Sequence, residues 1–442
     1  MFDSLLIANR GEIARRIGRT ARSMGIRTIA VHSDIDADLP HVTEADQAVN
    51  LGAAEPAASY LNTEAILAAA AQTGAKAIHP GYGFLSEKPA FAQAVVDAGI
   101  TWVGPSPEAI EAMGDKVNAR NLMARHGVPV APGASEPVHD AAAAQAVAET
   151  VGYPVMVKAA AGGGGMGMAV AEDAAALAEQ TTRISGFAQR LFGSGDVLIE
   201  RYYPRVRHIE VQILGLPDGR IIALGERECS VQRRHQKLVE ETPSPALDDK
   251  SRADILAASR RAGEAVGYLG AGTVEYLFDA DTGGFFFLEM NTRLQVEHPI
   301  TEAVHGIDLV EAQLRIAAGE EIEEPGAPVG HAVELRINAE DPKRFLPGPG
   351  AITAWREPVG EGIRVDAGYL AGTEVPRHYD SLMAKLVAHG ADRDEAIRRA
   401  AEAVAGFEIT GPKSNLAFHA ELLANPEFTS GEYDTGIVGR MR

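Results

Sequence analysis

Apolar and polar positions along the first hundred residues switch between two periods. Ser4-Leu-Leu-Ile7 is an apolar run closed by a turn at Asn9-Arg-Gly11, the pattern of a buried strand. Ile13, Ile17, Ala21 and Met24 then recur near helical spacing as far as Gly25, which predicts a helix ending there. Thr28-Ile-Ala-Val31, Ala75-Lys-Ala-Ile78 and Thr101-Trp-Val103 predict further strands, with helices over 62–73 and 88–98 between them. Strands alternating with helices predict a doubly wound α/β sheet, with ligands at the carboxyl ends of its strands. One such end carries His79-Pro-Gly-Tyr-Gly-Phe-Leu-Ser-Glu87. The Gly-x-Gly-x-x-Gly fingerprint does not follow the first strand, so NAD binding is not expected.

A boundary is expected near 105–114, ahead of a helix starting around Asp115. The loop 129–137 opens a smaller unit, about 130–204, with an alanine-rich helix and strands at 155–157, 168–170 and 197–199. Strands are predicted at 208–214, 220–225, 272–278 and 285–290. The acidic, Pro/Gly-rich stretch 320–330 reads as a surface crossing into a last part with strands at 332–337 and 382–387 and a helix at 394–405. Three units follow: 1–114, 115–330 and 331–442.

Alternation within these strands separates two faces. His208, Glu210 and Gln212 share one side, and Ile209, Val211 and Ile213 the other. The polar side fits a solvated face and a nucleotide contact equally well. Glu289 and Asn291 likewise point together at the end of an apolar run. Folding the chain about the turn-rich connector 279–284 sets Glu275 opposite Glu289, within about one residue of register. Two carboxylates on one face repel unless a cation lies between them. Glu275, Glu289 and Asn291 therefore form a candidate site for Mg2+, a hard ion suited to oxygen ligands.

Composition narrows the class. The 442-residue chain, 46% hydrophobic and 23% charged, is ordinary for a soluble globular protein. No apolar run approaches the roughly 20 residues of a membrane helix, and the N-terminus lacks a signal-peptide pattern. One cysteine, Cys229, excludes an internal disulfide and fits a reducing, cytoplasmic setting. A net charge of −20 argues against a general nucleic-acid-binding surface.

Cationic and glycine-rich segments stand out against that background. Gly162-Gly-Gly-Gly-Met-Gly167, just after Lys158, can bring backbone N–H groups of Gly163, Gly164 and Gly165 against phosphate oxygens. The Gly-Lys-Ser/Thr ending of a Walker loop is missing. Glu226-Arg-Glu-Cys-Ser-Val-Gln-Arg-Arg-His-Gln-Lys237 follows a predicted strand end, which favours a ligand role, with Lys237 and His235 as leading contributors. Cys229 reads as a packed thiol rather than a nucleophile. After Asn291 come Arg293, Gln295 and Glu297, so a cation site runs into anion-binding and proton-abstracting groups. That order suggests phosphoryl chemistry.

Taken together, these segments resemble biotin carboxylase, the ATP-grasp component of biotin-dependent carboxylases. The similarity runs from Ile7-Ala-Asn-Arg-Gly-Glu-Ile13 through Met113-Gly-Asp-Lys116, the glycine loop, Gln232-Arg-Arg-His-Gln-Lys237 and the 289–298 segment to Arg336-Ile-Asn-Ala-Glu-Asp341. The resemblance implies an ATP-grasp fold preceded by a Rossmann-like N-terminal domain, with a mobile glycine-loop lid and a C-terminal domain. It also implies a reaction in which ATP and bicarbonate give carboxyphosphate, whose carboxyl group passes to N1′ of biotin. Lys116, Lys158, Glu200 and His208 would contact the nucleotide, with Gln232, His235 and Lys237. Glu275, Glu289 and Asn291 would bind Mg2+, or Mn2+ in its place. Bicarbonate would sit between Arg293, Gln295 and the backbone of Val296. Glu297 would take its proton, and Arg336 would stabilise the biotin enolate.

Two departures bear on the pathway. Met166 and Ala169 occupy positions where many relatives carry a basic residue, and an apolar residue there is similar to some relatives serving other carboxylases, including urea carboxylase. No Met-Lys pair occurs, so the biotinyl carrier motif is absent. The carrier protein and the carboxyltransferase are expected on separate chains, and the resemblance implies a homodimer. The alternatives are a carboxylase with urea or another acyl-CoA as final acceptor, a carboxylate–amine ligase, and a non-catalytic ATP-grasp regulator.

Overall fold

The computed structural model describes residues 1–160 and 167–442. Strands β1 (Ser4–Ile7), β2 (Arg27–Ser33), β3 (Gln47–Gly52), β4 (Ala77–His79) and β5 (Thr101–Trp102) form a parallel sheet in the order β3-β2-β1-β4-β5. Helix Gly11–Ser23 lays Ile13, Ile17 and Ala21 against Leu5 and Ile7, while Leu6 packs on the other face. Burial on both faces explains the unbroken apolar run of β1. β3 escapes sequence reading because it is an edge strand, with no residue buried. The expected boundary at 105–114 contains helix Pro107–Gly114, capped by the Ser106 side chain. The sheet order reverses between β1 and β4, and there Asn9 Nδ2 donates to the Pro80 (2.7 Å) and Tyr82 (2.8 Å) carbonyls, fixing the loop that leads to Glu87.

A three-stranded antiparallel sheet follows, with β6 (Val155–Ala159) between β7 (Met168–Ala171) and β8 (Val197–Arg201). Helices Ala141–Val151 and Ala174–Phe192 share its core of Val155, Val157, Leu177 and Ile199. Gly163, Gly164, Gly165 and Met166 lie outside the described residues.

The largest sheet has β9 (Val206–Gly215), β10 (Ile221–Arg233), β11 (Gln236–Thr242), β12 (Gly270–Asp279), β13 (Gly284–Asn291) and β14 (His331–Asn338). Its order is β13-β12-β9-β10-β11-β14, continued by strands Leu382–Gly390 and Ile363–Ala367. On β9, Ile209, Val211 and Ile213 are fully buried against helix Asp249–Ala265. Each such side chain contributes about 1.5–3 kcal/mol on burial, and a one-residue slip would turn all three out. That cost commits His208, Glu210 and Gln212 to the opposite face. The face is buried rather than solvated, so the sequence ambiguity resolves toward a site.

The cationic stretch 226–237 departs from its expected place beyond a strand end. β10 continues through it to Arg233 and turns back through Arg234 and His235, both with positive φ (50° and 68°). Charged residues continue a buried strand here because each finds a partner: Arg227 pairs with Glu210, and Glu228 with Arg207 (3.5 Å). No helix among the described residues is long and apolar enough to cross a membrane.

Candidate active site

β12 and β13 pair in a register that sets Glu275 directly opposite Glu289 and Thr273 opposite Asn291. Glu275 is the more heavily engaged acid. Its Oε1 accepts from Lys237 Nζ (3.0 Å), Asn291 Nδ2 (2.8 Å) and Gln295 Nε2 (2.8 Å), and its Oε2 faces His208 Nε2 (2.8 Å). Burial alone would raise its pKa, but Lys237 and His208 outweigh burial and hold it well below the usual carboxylate range. Glu289 moves the other way, raised by burial and by the Glu275 carboxylate opposite. A divalent ion between the two would relieve that repulsion, so the donor set fits Mg2+. Asn291 turns its oxygen toward Arg293 Nη2 (2.8 Å), so ligation by that oxygen requires the amide to turn. His208, Glu210 and Glu275 also bring ligand atoms within 4.8 Å of one another. There the Lys237 ammonium and Arg227 guanidinium already supply positive charge.

The ammonium of Lys237 lies among three carboxylates: Glu210, Glu275 (3.0 Å) and Glu297 (2.6 Å). Burial would lower its pKa, but the surrounding anions raise it well above the ordinary value. Glu297 is 1% exposed, directly precedes helix His298–His305 and accepts from Arg336 Nη2 (2.9 Å) through its second oxygen. Burial opposes ionisation here too, but Lys237, Arg336 and Arg227 hold the acid far down. Arg293 is anchored by Glu87 (3.0 Å), on the loop after β4. The Val296 carbonyl accepts from Lys385 Nζ (2.9 Å), a fully buried lysine that also pairs with Glu12 (3.1 Å).

The remaining candidates ring this centre. Lys158 pairs with Glu200, which Arg120 approaches at 3.7 Å. Despite its burial, Glu200 is lowered by Lys158, Arg120 and Lys116. Lys116 opens helix Lys116–Arg125, exposed, and its charge acts on both Glu200 and Glu289. Gln232 Nε2 faces His208 Nδ1 at 3.5 Å, and His235 sits exposed at the hairpin tip. Cys229 is fully buried and burial raises its thiol pKa, in keeping with a packed thiol.

Sequence reading missed Glu87, Arg227, Glu240 and Lys385 as site residues. A lone lysine in the apolar run 382–387 was the available signal for Lys385. Glu240 offered none, because its partners come from β14. It receives Arg336 Nε (2.7 Å) and lies directly opposite Glu334, and both acids are fully buried. Both Glu334 oxygens and Oε2 of Glu240 lack a hydrogen-bond partner. Burial, only partly offset by Arg336, pushes Glu240 up to about 7, and burial pushes Glu334 well up.

These raised acids bind protons more tightly in the folded chain. The stability they contribute is present below the unfolded pKa and is lost as pH rises through the folded values. Glu334→Gln is therefore expected to flatten the fall in urea midpoint between about pH 5 and 9. An equally steep fall in parent and variant would contradict proton uptake by this facing pair.

Family models place the chain in known territory. Residues 1–110 match the biotin carboxylase N-terminal domain, 115–325 the ATP-binding domain of the carbamoyl-phosphate synthase L chain, and 334–440 the biotin carboxylase C-terminal domain. Biotin carboxylase of Pseudomonas aeruginosa is 47% identical over 435 residues, covering 98% of this chain and 96% of that one. Biotin carboxylase of Nostoc sp. is 47% identical over 444 residues, covering 100% and 99%. Among solved structures, the Campylobacter jejuni biotin carboxylase–β,γ-ATP complex superposes with a TM-score of 0.96 at 44% identity, covering 100% of this chain and 99% of that one. The biotin carboxylase domain dimer of Hydrogenobacter thermophilus 2-oxoglutarate carboxylase, solved with MgADP, ADP and bicarbonate, gives 0.94 at 41% identity, covering 100% and 98%.

Proposed function

The chain belongs to the biotin carboxylase family, and from that premise we propose that it carboxylates biotin with ATP and bicarbonate through carboxyphosphate. One observation carries the reading. The Glu297 carboxylate is enclosed by Lys237 and Arg336, on the loop that bears Arg293 and Gln295, beside the facing acids Glu275 and Glu289.

Bicarbonate is a planar anion suited to the Arg293 guanidinium, the Gln295 amide and the Val296 N–H. Glu297 removes its proton, and the resulting dianion attacks the γ-phosphorus of ATP, releasing ADP. Flanked by Lys237 and Arg336 alone, Glu297 is held too acidic for that task. Bicarbonate and nucleotide phosphates bring negative charge against Lys237, which raises Glu297 toward a useful range. Lys116, Lys158, His208, Gln232 and His235 bind the nucleotide, with Glu200 orienting Lys158. Glu275 and Glu289, with Asn291 alongside, would hold Mg2+, which would supply charge neutralisation at the transferring phosphate. Arg336 stabilises the biotin enolate as the departing phosphate carries off the N1′ proton and N1′ takes the carboxyl group.

The unit 130–204 is the lid that keeps water from carboxyphosphate. Gly163, Gly164 and Gly165 supply its phosphate contacts. The units 1–114, 115–330 and 331–442 act together, since Glu87, Glu275 and Arg336 each come from a different one. Biotin arrives on a carrier protein, and a carboxyltransferase on another chain selects the final acceptor. A homodimer completes the proposal, in line with the dimer described for the 2-oxoglutarate carboxylase neighbour.

The test is phosphate release from ATP with and without bicarbonate and free biotin. Release is expected to require bicarbonate and to rise with biotin. Release indifferent to both would sink the reading, and absent turnover with retained nucleotide binding would favour the regulator.

A further inference from the structure

Arg227 has entered so far only as a nearby positive charge, yet its hydrogen bonds join several parts of the site. Its side chain is 0% exposed. A guanidinium has five N–H donors, and here each has its own acceptor. Nε donates to Glu210, Nη1 to Gln212 (2.8 Å) and Thr301 (3.0 Å), and Nη2 to Thr273 (3.1 Å) and Gln295 (2.7 Å). Those acceptors come from β9, β12, the loop after β13 and the helix that follows. The group therefore cannot turn without breaking several bonds in a dry environment, where an unpaired charge costs most.

Its contact with Gln295 has a chemical consequence. A primary amide has a carbonyl end and an N–H2 end of nearly equal shape, and flipping exchanges an acceptor for a donor. With Gln295 Oε1 held by Arg227, the N–H2 end must face away from the guanidinium, where it donates one hydrogen to Glu275 (2.8 Å). The second hydrogen is free for an anion. In the flipped state a carbonyl oxygen would face both the Glu275 carboxylate and the incoming anion.

We infer that Arg227 is a positioning residue which locks the Gln295 amide donor-outward and so sets the affinity of the site for bicarbonate. This rests on the reading of Gln295 as a bicarbonate ligand. Lysine at 227 keeps the charge but has three donors and no planar fork, so it frees the amide. Arg227→Lys is expected to raise the KM for bicarbonate about tenfold or more, the scale of one hydrogen bond lost from a bound anion, with the KM for ATP moving less than about twofold. On a Gln295→Ala background the same substitution is expected to add nothing, because its effect runs through Gln295.

An unmoved bicarbonate KM, or equal rises in both backgrounds, would overturn the inference. A Gln295→Ala variant with unaltered bicarbonate KM would instead strike the anion site itself. Should Arg227→Lys fail to fold by circular dichroism, Thr273→Val combined with Thr301→Val loosens the guanidinium while keeping it. That pair is expected to raise the bicarbonate KM about threefold only when Gln295 is present, and no such rise would also refute the proposal.

Discussion

Glu297→Gln is expected to lower kcat by about 10²–10⁴-fold, the range for loss of a positioned general base, while the affinity for ATP stays within about threefold. Glutamine has nearly the same shape and still accepts from Lys237 or Arg336, so the loop should keep its path. It cannot take a proton from bicarbonate. The residues proposed to contact the nucleotide lie elsewhere, Lys116 at a helix start and Lys158 and His208 on other strands, which is why binding and turnover should separate. Glu297 is also lowered by its neighbours, so its loss should remove the acidic limb of the pH–rate profile. Nucleotide binding by fluorescence titration, beside bicarbonate-dependent phosphate release, checks both halves. Turnover within tenfold of the parent would remove Glu297 as the base.

Lys237→Met should have the largest effect on stability. The ammonium offers three hydrogens, and three carboxylates take them: Glu210, Glu275 and Glu297. Methionine fills similar space with no charge. The acids would then face each other, with only His208, Arg227 and Arg336 for compensation. Removing one partner of a buried ion pair typically costs about 3–5 kcal/mol. The sign of the pH dependence follows from the remaining groups. Acids stripped of their cation take up protons, so the loss should be large near pH 8 and shrink toward pH 5. Urea midpoints across that range decide it, and a pH-independent loss would point to packing rather than charge.

Much of this site was legible from the chain because period-two alternation is a local property. β9 declared its two faces, and counting across 279–284 brought Glu275 to Glu289, the pair seen in the register. What stayed hidden depends on which distant strands become neighbours. Glu87 reaches Arg293 from the loop after β4, and Glu240 meets Glu334 only because β11 pairs with β14. Arg227 was misplaced for a different reason. A run dense in charge reads as solvated or as a loop, and only its acceptors on β9 and β12 allow it to continue a buried strand. Lys385 is the same lesson in reverse, a single cation inside an apolar strand, satisfied by Glu12 and the Val296 carbonyl.

The hydrogen-bonded ladder between β11 and β14 crosses the linker at 320–330, so what looks like a seam in the sequence is interior to one sheet. Severing the gene there would leave two raw strand edges, each a template for unwanted pairing with other chains. Neither fragment should be expected to behave as a portable module. Chimeras between relatives will have to inherit β11 and β14 from the same parent, together with the acids and the arginine that face one another across them.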